Sequence, residues 1–149
     1  MTEGQSSFHL ALPVDSISKV RRYYGDTLGC SFGRFTESWI DINFFGHQLV
    51  FHQVPGYVIP REFNPVDSKK VPVPHFGVVL SITLWEGLAD RLKGYNTSFI
   101  IPPYCRFKGT DAEQYTMFFS DPNGYCLEFK SFLNHSQLFS CEEFSERYK

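Results

Sequence analysis

Three residues carry the chemistry this sequence suggests: His9, His75 and Glu128. His9 stands in "FHLALPV", where Phe8, Leu10 and Leu12 alternate with His9 and Ala11. Successive side chains of a strand point to opposite faces, so His9 faces away from its apolar neighbours. His75 opens "HFGVVLSI", with Phe76, Val78 and Leu80 on one face and His75, Gly77 and Val79 on the other. Glu128 lies between Leu127 and Phe129 in "DPNGYCLEFK", just after an Asp-Pro-Asn-Gly turn. A carboxylate on a half-buried strand is costly unless a cation meets it. Two neutral imidazoles and one carboxylate on a divalent ion leave several coordination positions open. That set suits non-haem Fe(II) and its oxygen chemistry, and also Mn(II), or Zn(II) with a water.

The elements that must position these residues occur twice. "FHLALPV" reads as a strand, and Asp15 or Ser16 can cap a helix over "SISKVRRYYGDTLG" through Ile17, Val20, Tyr24 and Leu28. Gly29 stops it, and "CSFGRF", "SWIDINFF" and "HQLVFHQV" read as three strands. The order restarts with the strand "HFGVVLSI" and a helix over "TLWEGLADRLKGYN" through Leu84, Leu88, Ala89 and Leu92. The strands "TSFIIPPY", "EQYTMFFS" and "GYCLEFKS" complete it. "GHQLVFHQ" lies on "GYCLEFKS" without a gap, and His9 falls on His75 when the two first strands are matched. Val50 then falls on Glu128, so the slot for a fourth ligand is hydrocarbon. The expected organisation is a single domain over 1–149. It holds one βαβββ module over 8–54, a proline-rich linker or long loop over 55–74, a second module over 75–132, and a tail over 133–149. Pro55, Pro60, Pro65, Pro72 and Pro74 punctuate the linker, and proline cannot donate to a sheet ladder.

Composition narrows the function classes. The 149 residues are enough to build a core without a disulfide or structural metal, so any metal is expected to serve chemistry. A formal charge of -2 gives no electrostatic case for nucleic acid or an anionic membrane. The four cysteines (Cys30, Cys105, Cys126 and Cys141) include no C-x-x-C pair. "MTEGQSSFHL" does not read as a signal peptide and no apolar run approaches 18 residues, so a cytoplasmic protein with reduced thiols is expected. The 16 Phe and 8 Tyr lean the composition towards sheet.

Together, "FHLALPV…YYGDTLGC", "PHFGVVL" and "DPNGYCLEFK" resemble the vicinal oxygen chelate superfamily, which holds glyoxalases, bleomycin resistance proteins and extradiol dioxygenases. The resemblance covers about residues 8–132 and is nearest to extradiol-dioxygenase-like proteins. It implies an α+β fold in which two βαβββ modules form a curved mixed sheet, or half-barrel, around a metal. It matches His9, His75 and Glu128 to the metal ligands, with Fe(II) first and Mn(II), Zn(II) or Ni(II) as alternatives. The implied activity is ring cleavage of a small catechol-like diol with O2, by a homodimer. Val50 stands where glyoxalase I has a second glutamate, and Ala11 where fosfomycin-resistance enzymes have a threonine.

The resemblance places His47 at the acid–base histidine of extradiol enzymes. A tyrosine of that family falls near Met117, Phe118 and Phe119, with Tyr115 three residues early, and a loop histidine has no match. Arg106 and Lys108 occupy that loop and could hold a substrate carboxylate. His52 shares the phase of Val50, and Phe118 is a candidate for an aromatic pocket wall, so both join Arg106 and Lys108 as expected substrate contacts. Cys126 shares the phase of Glu128. Asp41 and Asn43 alternate with Ile40 and Ile42, and His135 has no role. The alternatives are another metalloenzyme of the same scaffold (a lyase, epimerase or thiol transferase) or a metal-free protein that binds a flat ligand.

Overall fold

The structure is a computed structural model that describes residues 6–141. The chain divides into two compact units. The first reaches to Ile59 and takes in Pro122–Gly124; the second holds Pro60–Asp121 and resumes at Tyr125. The expected α+β class with βαβββ modules is what the chain builds.

In the first unit, β1 (His9–Val14) leads to α1 (Ile17–Val20) and a π-helical stretch, Arg21–Thr27. Then come β2 (Ser31–Phe35), β3 (Trp39–Phe44) and β4 (His47–Gln53). Ser16 is the cap, its hydroxyl accepting from the Lys19 amide. The sheet order is β1-β4-β3-β2, with β1 parallel to β4 and the other pairs antiparallel. Ile17, Val20, Tyr24 and Leu28, the residues at helical spacing, are all buried. They share the core with Ile40, Ile42, Leu49 and Phe51. His9 and Ala11 lie on the other face and are exposed.

The second unit begins with a feature the sequence reading missed. Within 55–74, β5 (Glu62–Val66) and β6 (Lys69–Val73) pair as an antiparallel hairpin. Asp67 and Ser68 turn it with φ of 49° and 58°, the twist a two-residue hairpin loop demands. Pro65 and Pro72 fit because the ribbon has only two strands, and each keeps one edge free of ladder bonds.

Next come β7 (His75–Phe76), α2 (Ile82–Gly94), β8 (Phe99–Arg106), β9 (Gln114–Ser120) and β10 (Cys126–Phe132), then a 3-10 turn at His135–Phe139. The remainder of the tail, 142–149, and "MTEGQ" lie outside the described residues. The sheet order β7-β10-β9-β8 repeats that of the first unit. The registers match too. His9 pairs with Gln48 and His75 with Cys126, the two partners that fall together when "GHQLVFHQ" is laid on "GYCLEFKS".

The strand read over 75–82 is shorter than expected. Regular pairing stops at Phe76, returns as a single bridge from Val79 to Lys130, and Ser81 then caps α2. Gly77 is the reason: a Cβ there would lie 1.6 Å from the Glu128 carbonyl oxygen, so the backbones touch. Helix α2 also presents a different stripe. Leu84 is exposed, and Trp85 joins Leu88, Ala89 and Leu92 in the core, one turn pattern shifted by a residue. The indole N–H of Trp85 donates to the Phe129 carbonyl at 2.8 Å, which takes that ring inward. No described helix is long and apolar enough to cross a membrane.

Candidate metal centre

Strand alternation brings His75 and Glu128 to one face of the second sheet. His75 is opposite Cys126, so Glu128 lies two residues along on the same side of β10. His75 Nε2 and Glu128 Oε2 are 3.0 Å apart, with side chains 27% and 13% exposed. The other ring nitrogen, Nδ1, is 2.6 Å from the Pro72 carbonyl. A carbonyl only accepts, so Nδ1 carries a proton and Nε2 is the nitrogen presented to the carboxylate. In neutral imidazole that Nε2 is a lone pair facing Glu128 Oε2, which is repulsive unless a proton or another cation lies between them.

The remaining contacts of Glu128 are supplied by β9 and β10. The Thr116 hydroxyl donates to Oε1 at 2.7 Å, and the Lys130 ammonium is 3.8 Å from the same oxygen. Burial works to raise the Glu128 carboxyl. His75, Lys130 and Thr116 together outweigh it, and the carboxyl sits below its ordinary value. His75 moves the opposite way: the hydrogen bond to Glu128 raises it, against burial and with help from Pro72. Both shifts favour a positive charge held between the two side chains.

His9 is prepared in the same manner. Its Nδ1 is 2.8 Å from Gln48 Oε1, so Nδ1 donates and Nε2 is left outward on an exposed ring. His47 has the reverse arrangement. The Phe8 amide donates to its Nδ1 at 3.1 Å, so neutral His47 carries its proton on Nε2. It lines a cavity of about 450 Å³ with Asp41, Asn43 and Gln48, and presents a donor there. Asp41 is nearly buried and takes the Arg34 guanidinium at 3.2 Å.

Within neither unit do three or more His, Cys, Asp or Glu side chains gather as a metal site among the described residues. The donor set nonetheless fits an ion. His75 Nε2 and Glu128 Oε2 converge to 3.0 Å, so an imidazole nitrogen and a carboxylate oxygen, both divalent-ion donors, would be available to one ion. Hydrogen bonds behind both histidines orient them as those behind metal-ligating imidazoles do.

The other expected site residues divide. Phe118 is buried beside the pair, its ring edge-on to His75 with centroids 5.1 Å apart. His52 is exposed near the end of β4, opposite Pro13 and Trp39. Lys108 is exposed in the loop after β8. Arg106 is engaged with Asp67 through Nε, and through Nη2 at 3.2 Å, and also reaches Gln114 at 3.3 Å. Cys126 is buried, and burial pushes its thiol up. Tyr115 is tied to Glu113 at 2.7 Å, with its hydroxyl raised to about 12 by that bond.

Sequence reading missed Thr116, Lys130, Tyr104 and Asp67. Lys130 was within reach, since it lies two residues after Glu128 and alternation puts both on one face. Thr116 and Tyr104 needed the register, which sets Tyr104 opposite Thr116 and Thr116 opposite Lys130. Asp67 needed the hairpin. The Tyr104 hydroxyl donates to it at 3.2 Å, and burial first, then the Asp67 charge, raise that hydroxyl to about 12.

The same fold occurs in solved structures. A glyoxalase/bleomycin resistance protein/dioxygenase from Alicyclobacillus acidocaldarius superposes with a TM-score of 0.75 at 27% identity, over 93% of this chain and 100% of that one. Its fold is that of the vicinal oxygen chelate superfamily. The fosfomycin resistance protein FosX from Listeria monocytogenes (TM-score 0.64, 14% identity, 92% and 99% coverage) shares it. So does a possible glyoxalase from Bacillus cereus (0.57, 19%, 85% and 98%). No family model and no curated protein matches the chain. Proteins of this superfamily are generally metal-dependent and bind small-molecule substrates.

Proposed function

We propose that this vicinal oxygen chelate protein is a metal-dependent enzyme whose ligands are His9, His75 and Glu128. The observation that carries the reading is the matched preparation of the two histidines. Each gives its Nδ1–H to a neighbouring oxygen and turns Nε2 outward, one of them onto Glu128. We propose Fe(II) as the ion and extradiol-type ring cleavage of a catechol-like substrate as the reaction, since two histidines and one carboxylate leave adjacent positions for two reactants. A divalent ion there supplies Lewis-acid charge that lowers the pKa of a chelating hydroxyl and, as Fe(II), gives access to O2 chemistry.

The chain's own residues shape what binds. Lys130 places a positive charge beside Glu128, and so favours a substrate that binds through anionic oxygens. Thr116 holds Glu128 Oε1 and fixes the carboxylate's orientation. Phe118, buried and edge-on to His75, keeps water from that side of the imidazole. His47, with its proton on Nε2, is arranged to donate a hydrogen bond rather than to take a proton.

That tautomer favours a second reading, in which the substrate is an α-hydroxycarbonyl or related chelate and the protein is a lyase, epimerase or transferase. Protein loaded anaerobically with Fe(II) separates the two. Catechol-dependent O2 uptake that vanishes in Glu128→Gln supports ring cleavage. Stoichiometric metal without uptake for any catechol refutes it and leaves the second reading. Failure of Fe(II), Mn(II), Zn(II) and Ni(II) alike to bind refutes the metalloenzyme.

A further inference from the structure

The β5–β6 hairpin makes two kinds of contact with the sheet of the second unit, one at each end. At the tip, Asp67 accepts from the Arg106 guanidinium through both carboxylate oxygens and from the Tyr104 hydroxyl. Lys69, the first residue after the turn, sits over the Tyr104 ring at 4.7 Å. At the base, the Pro72 carbonyl takes the Nδ1–H of His75. Between these ends the ribbon pairs only with itself, and an isolated two-stranded ribbon is marginal in water. Its position therefore comes from side-chain contacts: those at its two ends, the burial of Pro72, and Arg61 just before β5, which donates to the Ser120 hydroxyl at 3.0 Å.

Asp67 and Ser68 hold left-handed conformations, and aspartate is a usual residue at the first of these positions. Here its carboxylate also meets a guanidinium whose side chain is only 13% exposed, a contact that asparagine would make without the charge. Arg106 is further steadied by Gln114 at the start of β9.

We infer that Asp67 and Arg106 are positioning residues for His75: their ion pair anchors the hairpin so that the Pro72 carbonyl holds the imidazole with Nε2 towards Glu128. The inference rests on the reading of His75 as a metal ligand, but its core, control of the His75 tautomer by a distant ion pair, is measurable without metal. The anchor acts through the backbone of β6, so its loss frees the carbonyl and lets the ring rotate or exchange its proton.

The test uses the whole chain and imidazole 1H–15N spectra of the metal-free protein, with the His75 signals assigned by their disappearance in His75→Gln. Wild type should show a slowly exchanging Nδ1–H. Asp67→Ala and Arg106→Gln, which break the pair from either side, should each lose that protection. Both should also weaken Zn(II) or Mn(II) binding by about tenfold in calorimetry, the effect of losing a ligand-orienting contact. Lys70→Ala, on an exposed part of β6, should change neither readout. Unaltered Nδ1–H protection in a folded Asp67→Ala or Arg106→Gln protein overturns the inference. If wild type takes up no metal, the ligand assignment falls, while the imidazole spectra still decide the anchor.

Discussion

Gly77→Ala is the substitution whose cost the structure defines most sharply. The added Cβ would lie 1.6 Å from the Glu128 carbonyl oxygen, 2.6 Å from its carbon and 3.2 Å from its nitrogen. An ordinary contact begins near 3.4 Å, so β7 and β10 would have to separate by well over an ångström. The neighbours here are backbone atoms, so no rotamer change relieves the overlap. The bonds at risk are the flanking ones, Leu80 N to Lys130 O at 2.8 Å and Lys130 N to Val78 O at 3.2 Å. Overpacking of a well-packed interior costs roughly 1–3 kcal/mol, and a backbone clash belongs at the upper end, about 3 kcal/mol. For a chain of this length that is a fall in Tm of about 6–12 °C. Gly87→Ala is the matched control. Gly87 lies inside α2 and nothing stands within 4 Å of its missing Cβ, so removing helical glycine should stabilise by up to about 1 kcal/mol. Thermal and urea unfolding of both variants check the reasoning. If Gly77→Ala unfolds within about 0.5 kcal/mol of wild type, the close approach of Gly77 to Glu128 is wrong. The orientation of His75 against Glu128 would then be wrong with it.

Other consequences follow from the same contacts. Thr116→Val keeps the shape but removes the buried hydroxyl from Glu128 Oε1, and should weaken metal binding by about tenfold in calorimetry and cost about 1–3 kcal/mol in urea unfolding. Trp85→Phe strips the Phe129 carbonyl of its indole donor in a buried setting and should cost about 1–3 kcal/mol in urea unfolding. The Asp67 carboxyl is held below its ordinary value, first by the hydrogen bond from Arg106. Its folded value lies below its unfolded value, so its contribution is complete above about pH 4 and is lost as pH falls through the depressed value. Asp67→Asn should therefore flatten the acid limb of the urea-midpoint profile, and an acid limb as steep as that of wild type would count against the ion pair. Tyr104, raised to about 12 like Tyr115, should ionise later than free tyrosine in an ultraviolet titration, and Tyr104→Phe should reduce the amplitude of that late step while the share of Tyr115 remains.

The sequence by itself determined the repeated βαβββ order, because strand alternation, helix spacing and turn residues are local properties that survive in any context. It also determined the phase of His9, His75 and Glu128, since a period of two leaves only one face for each once its neighbours are apolar. The gapless match of Gln48 to Cys126 agrees with the equivalent parallel registers that the fold then set. What it could not supply was anything set by pairing across the chain. The hairpin in 55–74 was hidden because prolines argue against strands, and only a ribbon with free edges excuses them. The tautomers of His9, His47 and His75 depend on which backbone or amide atom lies beside each ring. Arg106 read as a free cation for substrate until the fold brought Asp67 to it. The strand begun at His75 was cut short by the closeness of Gly77 to Glu128, two residues 51 positions apart. Local pattern fixes which way a side chain points, and tertiary contact decides what it meets there.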